Sequence, residues 1–276
     1  MPDPAAILRP APRPVALVTG AARRIGRAIA LELAGAVFDL ALHHRGAAAE
    51  AEAEAERTAA EARAHGVAAA TFAADLADAD ACRALVPTVV ARLGRLDVLV
   101  NNASRFEYDA PGRFDAALLQ ALLQANTIAP VLLAEALAAQ VAAQPAIAGG
   151  GPCIVNLLDQ KLANPNPDYF SYTLTKAALQ HATITLAQAF APAVRVCGVS
   201  PGLTLPSGPM DAAEFEQARR LTALGRSSTP TDIARAVRFL AESPALTGVD
   251  LAVDGGQHLV AQPRDVLFLA RAATST

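Results

Sequence analysis

The chain has 276 residues, 53% of them hydrophobic and 18% charged, with a formal net charge of −3. That size and apolar content suit one large α/β domain or two small ones, whose core needs no disulfide or metal staple, and they exclude disorder over most of the length. The charge balance offers no basic field for a nucleic-acid backbone, and the three scattered cysteines form no metal pattern and fit a reducing cytoplasm.

Residues 1–13 carry four prolines and no apolar h-region, so they read as a disordered tail rather than a signal peptide, leaving 14–276 as one domain. Strand-like apolar runs then follow at Val15–Thr19, Asp39–His43, Val67–Phe72, Leu96–Val100, Cys153–Leu158, Val194–Val199 and Asp250–Val253. Helical stretches alternate with them at Ile25–Ala34, Ala47–His65, Asp80–Leu93, Phe114–Ala143, Tyr169–Phe190 and Thr231–Ala241. This βαβα rhythm with continuously apolar strands predicts a parallel sheet with helices on both faces. Ala47–His65, rich in Ala and Glu, reads as a solvated surface helix. Ala116–Ala143 is the most apolar long stretch, but Gln120, Gln124, Asn126, Pro130 and Glu135 interrupt it, so it reads as a buried helix and not a membrane span. Gly149, Gly150 and Gly151 mark a surface loop over Ala146–Pro152. Pro201–Pro209 follows a strand, and so sits at the carboxyl edge of the sheet, where ligands bind in this architecture.

The first strand runs through Gly20-Ala-Ala-Arg-Arg-Ile-Gly26 into a helix. Such a turn aims free N–H groups and a helix dipole at one point, which suits a pyrophosphate. Sites for NAD often carry an acid after the second strand to grip the ribose 2′-hydroxyl. Here that place reads His43-His44-Arg45, and Arg45 with Arg23 would attract a 2′-phosphate, so NADPH is expected over NADH.

There are three tyrosines and two lysines, yet Tyr172 and Lys176 lie one helical turn apart on one face. A nearby ammonium is expected to lower the phenol pKa and make Tyr172 a better acid near neutral pH. Tyr108 and Tyr169 have no such partner and read as packed tyrosines with their hydroxyls satisfied.

VTGAARRIG, NNAS at Asn101–Ser104, Tyr172-x-x-x-Lys176, SPG at Ser200–Gly202 and VDGG at Val253–Gly256 come in an order and spacing that resembles the short-chain dehydrogenase/reductases, over roughly residues 14 to 260. The resemblance implies a single-domain Rossmann fold with seven parallel strands, assembled as a homotetramer or dimer, and hydride transfer between NAD(P)H and a C=O, C–OH or C=N group. It implies cofactor contacts from Gly20, Arg23, Arg24, Ile25, Gly26, His44, Arg45, Asp75, Leu76, Asn102, Ala103, Ser104, Tyr172, Lys176, Pro201 and Gly202. It also implies that Asn126 bends a helix around a water and passes protons to Lys176; Asn126 could instead be a simple polar break. Asp75 could cap the next helix rather than touch adenine.

Two departures from the family pattern point to a subgroup. Its usual middle loop glycine is Arg24 here, and its usual catalytic serine, 13 residues before the tyrosine, is Asp159. Both resemble the pteridine reductases, including bacterial dihydromonapterin reductases, as does Phe106, placed where that subgroup stacks an aromatic on the pterin. A pterin is a flat, nitrogen-rich ring, and reducing its C=N bond needs a proton on nitrogen, which an Asp of raised pKa supplies better than a Ser. Arg24 could bridge cofactor phosphate and pterin edge or bind phosphate alone; Asp159 could be a local cap, and Phe106 plain core. The expectation is an NADPH-dependent pterin reductase with Tyr172, Lys176, Asp159 and Asn126 as catalytic residues. Arg24, Ser104, Phe106, Asp159, Tyr172 and Leu203 would meet the substrate, and no metal, nucleic acid or membrane would be involved. A general carbonyl reductase, such as one for 3-oxoacyl thioesters, and a non-catalytic NADP-binding regulator are the competing readings.

Overall fold

The computed structural model describes residues 13–46, 49–142, 151–206 and 210–274. The proline-rich tail, most of the 146–152 loop and the end of the 201–209 segment lie outside these residues.

Seven strands form one parallel sheet: β1 (Val15–Val18), β2 (Asp39–His44), β3 (Ala69–Ala73), β4 (Val98–Asn101), β5 (Cys153–Leu157), β6 (Arg195–Pro201) and β7 (Asp250–Val253), in the order β3-β2-β1-β4-β5-β6-β7. Every residue of β1, β4 and β5 is buried, which is why those strands lack polar alternation. Edge strand β7 is only partly covered.

The helices are α1 (Arg24–Gly35), α2 (Ala49–Arg63), α3 (Ala79–Leu93), α4 (Ala116–Leu123), α5 (Ala129–Val141), α6 (Phe170–Phe190), α7 (Ala212–Ala218), α8 (Pro230–Glu242) and α9 (Val266–Thr274). On one face of the sheet, Ile29 and Leu33 of α1, Ala59 and Ala62 of α2 and Ile233 and Val237 of α8 pack on Val18, Leu40, Val100 and Val155. On the other, Leu85 and Val89 of α3, Leu133 and Leu137 of α5 and Ala187 of α6 pack on Leu17, Ala41, Leu99 and Ile154. Adjacent strand residues therefore serve opposite cores. Burial of these aliphatic side chains, each worth about 1.5–3 kcal/mol, is the main stabilising term.

The stretch expected to be one helix over Phe114–Ala143 is three pieces. It starts at Ala116, capped by the Asp115 carboxylate on the Ala117 N–H. A π-helical turn over Gln124–Ile128 then separates α4 from α5. By length and composition, Ala116–Val141 is the one described stretch that could cross a bilayer, but α5 gives its inner face to the sheet and to α3. Its outer face is only half-covered, so the expectation of a buried helix holds for one side. Helices α7 and α9 were not legible in the sequence. They pack on each other through Met210, Ala218, Val266, Leu267 and Ala270.

The strand order reverses between β1 and β4, and the carboxyl ends of the strands open there into a crevice. The segments after β1, β2, β4, β5 and β6 all converge on it.

Candidate active site

A cleft of about 740 Å³ runs along this edge. Its floor begins at the loop after β1, where Gly20 adopts φ +65° and Gly26 opens α1. A Cβ on Gly26 would lie 2.2 Å from the Gly20 carbonyl oxygen and 2.6 Å from Asn102 Nδ2, so no larger residue fits. The segment after β4 locks onto this loop. Thr19 Oγ1 accepts from the N–H groups of Asn102 and Ala103 at 2.9 and 3.0 Å, and Asn102 Nδ2 donates to the Thr19 carbonyl at 2.8 Å.

His43, which the sequence left without a role, ties the same loop to β2 and β3. The Gly20 N–H donates to its Nδ1 at 3.1 Å, so Nε2 carries the proton and donates to the Ala74 carbonyl at 3.0 Å. Burial lowers its pKa to about 4, and it stays neutral near pH 7.

Arg24, at the family's glycine position, keeps the conformation a glycine would have, at φ +55°. Its Nη2 donates to the Pro206 carbonyl at 2.9 Å, across the cleft on the segment after β6. Arg23, Arg45 and His44 line the end of the cleft near β2, and buried His44 Nδ1 has no partner within the protein. Arg45 is largely exposed and pairs with Asp75 at 3.7 Å. Glu50 and Glu54 line this end too, so its attraction for a phosphate rests on the arginines rather than on a uniformly positive surface. Asp75 does not cap α3; Asp78 does, accepting from Asp80 N at 2.8 Å. Asp75 and Leu76 stand outside the cleft lining, whereas Ile25, Ala103, Ser104, Pro201, Gly202 and Leu203 belong to it.

At the other end stand Asp159, Tyr172 and Lys176. Asp159 follows β5, and its two oxygens divide their work. Oδ1 accepts from the Lys161 N–H at 2.9 Å, capping a 3₁₀ turn over Gln160–Leu162, and Oδ2 accepts from the Tyr172 hydroxyl at 2.9 Å. The capping role and the contact with Tyr172 therefore coexist. Enclosure by protein pushes the Asp159 carboxyl above its usual range, against the pull of the Lys161 amide, the Tyr172 hydroxyl and the two lysine ammonium groups.

Lys176 sits one turn beyond Tyr172 on α6, donating to the Leu157 carbonyl at 2.7 Å, and burial lowers its pKa to about 8. The expectation that this ammonium lowers the Tyr172 pKa is overturned. Burial and the Asp159 carboxylate push the phenol well above its usual range, and Lys176 Nζ lies 5.7 Å from the ring centre. Those effects outweigh the pull of the ammonium.

Asn126 lies in the π-helical turn, fully enclosed; its hydrogen bonds go to residues other than Lys176, and it is not itself part of the cleft lining. Its Oδ1 accepts from the Arg105 N–H at 2.8 Å and from Ser104 Oγ at 3.2 Å, while Nδ2 donates to the Arg105 carbonyl and to Thr175 Oγ1. Here it fastens the segment after β4 to α6. Phe106 is not core. It lies at the mouth, 38% exposed, with its ring stacked on Tyr169 at 4.2 Å and edge-on to Tyr172 at 4.7 Å. That end of the cleft is completed by Gln160, Lys161, Leu203, Met210, Gln257, Asp265 and Leu267, of which the sequence singled out only Leu203 by number. Among the described residues no cluster of His, Cys, Asp or Glu could hold a metal ion.

A family model for enoyl-(acyl carrier protein) reductases matches residues 20–258. Pteridine reductase 1 of Leishmania tarentolae is 34% identical, over 89% of this chain and 96% of its own. A 3-oxoacyl-[acyl-carrier-protein] reductase of Staphylococcus aureus is also 34% identical, over 88% and 98%. Among solved structures, FolM alternative dihydrofolate reductase 1 of Brucella canis, complexed with NADP, superposes with a TM-score of 0.80 at 38% identity, over 90% of this chain and 96% of its own.

Proposed function

The chain belongs to the short-chain dehydrogenase/reductase family of oxidoreductases, and on that premise we propose that it reduces a dihydropterin to the tetrahydropterin with NADPH. The observation that carries this reading is the 2.9 Å hydrogen bond from Tyr172 to Asp159, a carboxyl of raised pKa where the family usually has a serine. A carboxyl that holds its proton more tightly than usual suits a ring nitrogen, which must gain a proton as the C=N carbon gains a hydride. Oxidised pterin and dihydrofolate are further candidate substrates.

The residues present fit the cofactor. Gly26 leaves no room for a side chain beside the Gly20 carbonyl, which keeps the loop open to a pyrophosphate, and His44 Nδ1 is a buried polar atom without a partner at the end of the cleft where Arg23 and Arg45 can meet a 2′-phosphate. Bound there, NADPH supplies the hydride. Lys176, held by the Leu157 carbonyl, orients the ribose and steadies Tyr172. Phe106 offers an aromatic platform for a flat ring, and Arg24 and Ser104 present donors to phosphate or ring edge. Tyr172 and Asp159 hold the proton, which passes to the substrate nitrogen as the hydride arrives. Asn126 supports this site by anchoring Ser104 and Arg105; a proton-relay role for it draws only on the family resemblance. A cytoplasmic homotetramer or dimer fits the three free, buried cysteines and the habit of the family.

A second reading, reduction of a 3-oxoacyl thioester, is favoured by the equally similar Staphylococcus aureus relative. Tyr172 and Lys176 would serve it equally well; Asp159 adds a charge that a carbonyl acceptor does not need. Steady-state assays with NADPH and 7,8-dihydrobiopterin, dihydrofolate or an acetoacetyl thioester separate the readings. A kcat/KM for dihydrobiopterin at least tenfold above that for the thioester is expected, and the reverse order would overturn the proposal.

A further inference from the structure

Lys161 is one of only two lysines in the chain, and it is buried, with its side chain 5% exposed. Its Nζ donates to the Asp168 carbonyl at 2.6 Å and lies 3.6 Å from Asp265 Oδ2 and 5.5 Å over the Tyr169 ring. Burial lowers its pKa, against the pull of the Asp265, Asp159 and Asp168 carboxylates. Enclosing an ammonium is costly unless its partners hold it.

Those partners belong to different parts of the cleft. Asp168 and Tyr169 lead into α6, which carries Tyr172. Tyr169 is the surface on which Phe106 stacks. Asp265 belongs to the C-terminal segment, which the sequence reading placed beside the substrate pocket without naming a residue. That segment is also fastened through Asp168, whose carboxylate accepts from Arg264 Nε and Nη2 at 2.7 and 2.8 Å and from the Asp265 N–H at 2.8 Å. Asp265, Val266 and Leu267 then face the cleft. Asp265 Oδ1 accepts from the Leu267 N–H at 3.1 Å, so the carboxylate that meets Lys161 also starts α9.

We infer that Lys161 is a positioning residue, which through Asp265 fastens the C-terminal segment 264–267 as the substrate-side wall of the cleft and so sets substrate affinity. The inference rests on the reading of this cleft as the reductase site. Lys161 touches no cofactor-binding residue at the β1 end, so its effect falls on substrate and not on NADPH. Losing the ammonium leaves the Asp265 carboxylate without its cation, and the wall shifts to let water reach it.

The test uses Lys161→Met, Lys161→Arg, Asp265→Asn and the double variant Lys161→Met/Asp265→Asn in the full-length enzyme, with 7,8-dihydrobiopterin as the probe. Lys161→Met is expected to raise KM about tenfold, in line with breaking a partly buried ion pair, and to leave the NADPH Kd, read by nicotinamide fluorescence, within about twofold. Lys161→Arg, which keeps the charge, lies between wild type and Lys161→Met. The double variant is no worse than Lys161→Met, because removing the stranded carboxylate offsets removing the cation. A KM within about twofold of wild type in Lys161→Met, a parallel loss of NADPH affinity, or additive effects in the double variant would overturn the inference. If Lys161→Met fails to fold, Asp265→Asn decides, since it cuts the same pair and its amide oxygen can still accept from the Leu267 N–H; an unchanged KM there is equally fatal. Should the wild type leave dihydrobiopterin untouched but reduce an acetoacetyl thioester, the pterin reading fails, and the same variants test the wall on the thioester.

Discussion

Arg24 reaches across the cleft from the loop after β1 to the Pro206 carbonyl on the segment after β6, 2.9 Å away, while its own backbone sits at φ +55°. A left-handed conformation in a residue with a Cβ costs on the order of 1 kcal/mol, and glycine would avoid it. Arg24→Gly is therefore expected to change stability by less than about 1 kcal/mol, because the strain relieved is offset by the lost hydrogen bond and by the freer unfolded chain that glycine brings. The same change should raise the substrate KM, since it frees the segment leading to Pro206 and removes a donor from the cleft. Thermal melting with steady-state kinetics decides: a loss of stability well beyond about 1 kcal/mol would mean that the strain is absent.

Cofactor choice is expected to turn on Arg45. It is largely exposed and pairs with Asp75 at 3.7 Å. Arg45→Asp should weaken NADPH by about 1–3 kcal/mol and barely affect NADH, because only the former carries the 2′-phosphate. Comparable kcat/KM for the two cofactors in the wild type would defeat the assignment.

Neutral His43 makes the loop after β1 sensitive to acid. Its folded pKa of about 4 lies below the ordinary value of 6.5, so the unfolded chain takes up the proton first as pH falls. Stability is then fully present above pH 6.5 and is lost as pH drops from 6.5 toward 4, by up to about 3 kcal/mol from this residue. A histidine that charges can no longer accept from the Gly20 N–H. Denaturant unfolding at pH 7, 5.5 and 4.5, for wild type and His43→Gln, measures the difference. Identical slopes in the two proteins would exclude His43 as the cause.

Tyr172→Phe removes the phenol and leaves the ring to pack against Phe106. A loss of about 10²–10⁴ in kcat with unchanged NADPH binding is expected for a general acid. Turnover near the wild-type level would remove Tyr172 from the chemistry.

The strands were legible because β1, β4 and β5 are buried on both faces, and a continuous apolar run is a local signal. Phosphate-loop glycines and the Tyr172–Lys176 spacing are local too. The family resemblance marked Asn126 as the place where the helix bends, and the π-helical turn over Gln124–Ile128 lies there; what the sequence could not show is that Asn126 bonds to Arg105 and Thr175. His43, Lys161 and Asp265 escaped for the same physical reason. Decisive partners lie far away in sequence, as Asp265 lies 104 residues from Lys161 and Ala74 lies 31 from His43, and a charge that reads as surface until its partner is known carries no local mark. The error over the Tyr172 pKa had a related origin: spacing gave the nearby ammonium but not the burial that outweighs it.

Asp159 joins stability and chemistry in one carboxyl. Its folded pKa is raised, mainly by enclosure, so the folded state holds the proton more tightly than the unfolded chain does. The stability this confers is present below the ordinary carboxyl pKa of 3.8 and is lost as pH rises through the raised value, above which an ionised group sits poorly solvated beside Tyr172. Asp159→Asn keeps the shape, can still accept from the Lys161 N–H and carries no charge. It should therefore melt higher than wild type at pH 7. If Asp159 supplies the proton, the same variant should reduce dihydropterin far more slowly, and the fall in wild-type kcat with rising pH should flatten in it. Asp159→Ser should also lose most pterin reduction while keeping the cofactor, and gain weak ketone activity, since it restores the common family pattern. Melting temperature and kcat across pH 5 to 8 measure both sides of this exchange. An Asp159→Asn enzyme that matches wild type on dihydropterin over that range would make Asp159 a cap alone, and the 3-oxoacyl thioester reading would then account better for the site.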